Sequence, residues 1–200
     1  MKTNFLIFIL LSIATYSFAD EPGVWQNYQN KDYGFSIKYP PDVKIQQQFS
    51  TAYFVHGAWS MNNPGSPDNN ASQHSLIEIP IDDGRGPGKD GSSYYYQAYL
   101  RIGVSKVPAD LASCEDASNN FVSASPAKTQ INDHTFYLFT FSDAAMSQFG
   151  AATLYRAVNK NVCYSLEFVE DGSNNIPEFE SRSAKNKKLA EKMIDTFMFQ

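Results

Sequence analysis

The sequence predicts an α+β domain in which one antiparallel sheet carries helices on both of its faces. Three observations lead there. Aromatic residues make up 14% of the 200-residue chain, a level that favours pleated strands over a helical bundle. Several segments alternate apolar and polar residues with the period of two that a half-buried strand requires. A short segment after Pro108 and a long one ending near Phe197 carry helix signals instead.

Residues 1–19 read as a secretory signal peptide. Lys2 gives a positive start, Phe5 to Ile13 an apolar run broken at Ser12, and Ser17-Phe18-Ala19 the small residues a signal peptidase reads. The run is shorter than the roughly 20 residues that cross a bilayer, so no membrane span is expected. The expectation is cleavage before Asp20, a periplasmic or secreted location, and a single domain over residues 20–200. About 180 residues suffice for one packed core.

Residues 25–32 form a polar lead-in. In Gly34-Phe35-Ser36-Ile37-Lys38-Tyr39-Pro40 the residues Phe35, Ile37 and Tyr39 share one face, and Pro40-Pro41 ends the strand. Short strands are expected over residues 43–49 and 51–59, and a loop over the Asn-, Pro- and Ser-rich residues 61–72. Residues 76–81 read as a strand placed at an edge by Pro80. Gly84, Gly86, Gly88 and Gly91 predict a long mobile loop over residues 82–93. Residues 94–106 give the clearest strand, with Ala98, Leu100, Ile102 and Val104 on one face and Tyr95, Gln97, Tyr99 and Arg101 on the other.

Pro108 suits the first turn of a short helix that carries Leu111 and Cys114. Residues 117–135 show no clear period. Strands follow at 136–141 and 153–158, separated by a small-residue segment at 144–152. Asn159-Lys160-Asn161 turns the chain into a last strand, where Val162, Tyr164, Leu166 and Phe168 oppose Cys163, Ser165 and Glu167. The terminal helix, residues 177–197, buries a stripe that includes Leu189, Met193 and Phe197. Its lysines, Lys185, Lys187, Lys188 and Lys192, complement the helix dipole and also offer a basic face to an anionic surface.

Cys114 and Cys163 are the two cysteines. In an oxidising compartment they read as one disulfide, and without C-x-x-C spacing or a neighbouring His they do not read as a metal or redox pair. Cys163 points away from Val162 and Tyr164. A bond to Cys114 therefore places the short helix on that face and leaves the apolar face to the terminal helix, which gives three layers.

A formal charge of −5 argues against nucleic acid as a partner. No G-x-S-x-G occurs, and His56, His74 and His134 stand alone without metal-ligand spacing. The Asp82-Asp83-Gly84 and Asp90-Gly91 pairs lack the alternation and closing Glu of a calcium loop, and the alternating glycines precede no helix that would receive a phosphate. No nucleophile, base and orienting group can be assembled, so no catalytic residue, metal or cofactor is expected. Tyr95, Tyr99 and Arg101 form the one suggestive group: either a binding surface or a sheet face beneath a helix.

The stretch Tyr28 to Pro40, with Tyr28-Gln29-Asn30 and Gly34-Phe35-Ser36 followed by Tyr39-Pro40, resembles the opening of PsbP-like domains. Thr196-Phe197-Met198-Phe199 resembles their T-F-x-F close. The resemblance, shared with DcrB-type envelope proteins, implies an α/β/α sandwich and an accessory role without chemistry of its own. The expected function is thus that of an exported, non-enzymatic protein acting through contact with a protein partner. The alternative is a small-ligand or glycan-binding module using the Tyr94–Arg101 surface.

Overall fold

The computed structural model describes residues 24–47, 73–116, 127–145 and 147–200. Nine strands and two helices run in the order β1 (Gln26–Asn30), β2 (Phe35–Tyr39), β3 (Gln73–Pro87), β4 (Ser93–Ser105), α1 (Pro108–Ser113), β5 (Ala127–Ile131), β6 (His134–Ala145), β7 (Gln148–Asn159), β8 (Val162–Ser173), α2 (Phe179–Ile194) and β9 (Met198–Phe199). They build a six-stranded sheet, β3-β4-β8-β7-β6-β5, and a three-stranded sheet, β1-β2-β9. Every pairing is antiparallel.

Alternation decides the core. Leu100 and Ile102 of β4 lie beside Phe168 and Leu166 of β8 on the face that meets α2 and the small sheet. Phe35 and Ile37 of β2 join them from above, with Met193, Ile194 and Phe197. The opening and closing motifs of the chain meet here: Phe35 pairs with Phe199 across β2 and β9, and its ring stacks on Phe197 at 5.3 Å. Removing a side chain such as Leu166 from this core costs about 2–5 kcal/mol.

The three-layer expectation is overturned. Strand takes 57% of the described residues and helix 16%, and helices do not cover both faces. The small sheet takes part of the place expected for helix, because Phe35, Ile37 and Tyr39 bury side chains against the large sheet as a β-layer. On the opposite face α1 is a six-residue helix, too short to make a layer. The disulfide expected there is present. Cys114 and Cys163 are joined with Cα atoms 5.8 Å apart, and both are fully buried.

The glycine-rich loop also proves to be mostly strand. β3 continues through Asp82, Gly84 and Gly86, which pair with Ala98, Tyr96 and Tyr94. Arg182 packs closely over Gly84: a Cβ there would fall 2.1 Å from its guanidinium, which would have to shift away. The remaining turn is tied down as well. Asn175 donates its amide to Asp90 at 2.8 Å and to Ser92 at 2.7 Å. In place of the strand expected over residues 43–49, the described part, up to residue 47, makes one bridge, Gln46 to Glu78. Residues 1–23, 48–72, 117–126 and 146, which include the expected signal peptide, the strand expected over 51–59, the loop expected over 61–72 and His56, lie outside the described residues.

Candidate functional site

Both faces of the large sheet carry chemistry, and they differ in kind. Arg101 lies on the face away from α2. It donates to Glu78 on β3 at 2.8 Å and stacks over the Tyr99 ring at 4.1 Å. The Tyr99 hydroxyl donates to Asp171 at 3.1 Å. Tyr95 sits four residues further along, half-buried, its backbone bonded to the Ser173 hydroxyl at 2.9 Å. Tyr99 and Arg101 are therefore brought together, and Tyr95 stands at the end of the strand.

Sequence reasoning missed what surrounds them. In register, Glu78, Arg101 and Glu167 form one row across β3, β4 and β8, and Arg156 of β7 stands beside Ser165 in the next. Three of them are deeply buried, Glu167 at 0% exposed, Arg156 at 3% and Arg101 at 7%, and Glu78 is half-buried at their edge. Ser165 donates to Glu167 at 2.8 Å. Burial pushes the Glu167 carboxyl above its ordinary range, with Arg156, the Ser165 bond and Arg101 pulling it back. Burial likewise raises Asp171 and the Tyr99 hydroxyl. The disulfide pins α1 at the end of this face, and Ser105 donates to its buried Asp110.

On the other face, a polar network docks the start of α2. The Arg182 guanidinium grips Asp82 with two bonds, at 2.7 and 2.6 Å, and lies 4.7 Å over the Tyr96 ring. Asn186 donates to Asp82 at 2.9 Å and to the Tyr96 hydroxyl at 3.0 Å. Tyr96 in turn donates to Glu170, which also accepts from Ser183 at 2.9 Å. The Arg182 bonds hold the Asp82 carboxyl below its ordinary range. Such a fork has the geometry that makes Arg–carboxylate pairs directional.

This network fixes α2 over β3, β4 and β8, and among the described residues no element covers the same face at the end of β6 and the start of β7. The small residues Ala144, Gly150 and Ala151 then leave a cleft of about 420 Å³ against the first turn of α2. Phe149 and Phe179 meet edge to face at 4.9 Å, and with Ile176 they make its apolar floor. Ser142, Ser173, Asn174, Lys89 and Glu180 supply a polar rim. A smaller cleft of about 190 Å³, with Thr140, Thr153, Phe168 and Glu170, shares Ala151 with the first and extends it along the sheet. The result is a groove, apolar below and polar above. Its sequence signal was the small-residue segment at 144–152, expected to separate two strands; instead β6 runs to Ala145 and β7 starts at Gln148, so these small residues are strand residues that line the opening.

Among the described residues no group of three or more His, Cys, Asp or Glu could hold a metal ion. His134 packs on the Phe199 ring at 4.6 Å, a core contact. No described helix is long and apolar enough to cross a membrane. No family model matches the chain, and no curated protein is significantly similar to it.

Proposed function

We propose that this is an exported, non-enzymatic binding protein that takes a small hydroxylated ligand, of the saccharide class, in the groove beside α2. The observation that carries the reading is the pairing of an aromatic floor, Phe149 and Phe179, with a rim of hydroxyl, amide and charged groups. Sugars present an apolar C–H face and a ring of hydroxyls, and a site with one apolar wall and a few convergent polar groups matches both. Export is supported by the pattern of residues 1–19 and by the buried disulfide, which fits an oxidising compartment.

A second reading keeps the accessory role through a protein partner, in line with the resemblance of the Tyr28–Pro40 and Thr196–Phe199 segments to PsbP-like domains. It is favoured by β5, an edge strand with no outer neighbour among the described residues, onto which a partner's extended segment can add.

Saturation-transfer NMR against a panel of neutral mono- and disaccharides tests the first reading. Transfer should reach the sugar C–H protons, and Ala151→Leu, which fills the groove, should weaken binding on the order of tenfold or more. Binding that survives Ala151→Leu and Phe179→Ala unchanged contradicts the site.

A further inference from the structure

We propose that a second cleft, at the opposite end of the large sheet, binds a phosphate-type oxyanion through Lys31, Lys106 and Lys160. The cleft measures about 510 Å³ and is lined by these three lysines, by Tyr33 and Tyr164, and by a single carboxylate side chain, Asp32. The lysines come from three separate places: the β1–β2 turn, the end of β4 and the β7–β8 turn. In a chain of formal charge −5, three ammonium groups outnumber the Asp32 carboxylate and the Gln200 main-chain oxygen that face them, and make a local field opposite to that of the whole.

The backbone beneath these side chains is fixed. Gly34 adopts φ +59°, and its carbonyl accepts from the Gln200 amide at 2.8 Å. Lys160 and Asn161 both have positive φ, 48° and 60°, as a two-residue hairpin turn of this hand requires. The Tyr164 hydroxyl donates to the Tyr33 carbonyl at 2.7 Å. Two of the ammonium groups are held at the cleft: Lys106 lies 5.1 Å over the Tyr33 ring, and Lys160 donates to the main-chain oxygen of Gln200 at 2.8 Å, a contact that an incoming oxyanion shares. Such preorganisation lowers the ordering penalty of binding.

The residue type selects the ligand. A planar carboxylate is best met by the arginine fork, whereas separate ammonium point charges suit a compact, multiply charged tetrahedral anion. The volume admits a group larger than phosphate itself, so the phosphate can belong to a soluble phosphorylated molecule or to a lipid headgroup.

Calorimetry with pyrophosphate in about 20 mM salt, where screening is weak, tests the soluble source. Sedimentation with phosphatidylglycerol vesicles, against phosphatidylcholine vesicles, tests the lipid source. All three lysines are exposed, so their glutamine variants keep the fold. Lys106→Gln with Lys160→Gln should weaken binding by about tenfold, up to fivefold per ammonium group. Lys31→Gln, which leaves the Gln200 contact intact, should weaken it about threefold. Lys187→Gln with Lys188→Gln on α2 should change it less than about twofold. Lysine-dependent capture by the anionic vesicles alone assigns the headgroup. Absence of binding to both probes, or equal weakening by the α2 variants, overturns the proposal.

Discussion

The groove beside α2 and the charged face behind it lie on the two sides of one sheet, and polar side chains serve opposite ends in them. On the charged face, Arg101, Glu167 and Arg156 are enclosed with half-buried Glu78 beside them, and burial without compensation would be expensive, so each charge is held near an opposite one. In the groove, Ser142, Asn174, Lys89 and Glu180 rim an open space above Phe149 and Phe179. The first arrangement specifies packing, while the second leaves hydrogen-bonding capacity unspent for a ligand. Buried charge marks structure here, and the proposed site lies where small residues leave room.

The largest expected effect separates the two regions. Arg101→Ala removes the cation between Glu78 and Glu167, and losing one partner of such a buried group should destabilise by about 3–5 kcal/mol. Urea denaturation should show this loss, while the folded fraction keeps its saccharide affinity. Cys114→Ser should follow, at about 2–4 kcal/mol, because the bond closes a separation of 49 residues. Tm measured with and without reductant checks it, and the variant should no longer respond to reduction.

The pH dependence sharpens the comparison further, because the two faces carry opposite signs. Asp82 has a lowered folded value, so its contribution is present above its ordinary value, 3.8, and is lost as pH falls through the lowered one. Glu167 has a raised folded value, so the native state binds more protons than the unfolded state in the window above its ordinary 4.5. Its effect on stability therefore becomes less favourable as pH rises from 4.5 through the raised value. Asp171 follows the same sign. Stability measured from acid to neutral pH should show Glu167→Gln flattening the upper decline and Asp82→Asn flattening the acid loss. The smallest stability change belongs to the groove: Ala151→Leu should move stability by no more than about 0.5 kcal/mol, as at an ordinary half-exposed site, while removing binding.

Alternation made much of this fold legible. The faces of β2, β4 and β8, the turn at Lys160-Asn161 and the stripe on α2 follow from residue spacing alone. The disulfide followed from compartment chemistry. Four things were hidden. Glycines read as a loop because their conformational freedom is a local property, whereas the close approach of Arg182 over Gly84 is tertiary. Polar alternation on β4 and β8 read as one exposed or helix-covered face, because spacing shows that residues share a side but not that Arg101 and Glu167 are enclosed. The three-layer inference failed because a disulfide fixes a contact without fixing the size of what it attaches. The groove depends on where α2 stops covering the sheet, which the Asp82–Arg182 docking decides across 100 residues of chain.

Backbone amide shift mapping during titration with the saccharide panel tests the central claim most directly. The account predicts a compact set of shifts at Ser142, Phe149 to Ala151 and Ser173 to Glu180, with the amides of Tyr99 to Gly103 and Ser165 to Val169 unmoved. Shifts centred on Tyr95, Tyr99 and Arg101, or none across the panel, would contradict it.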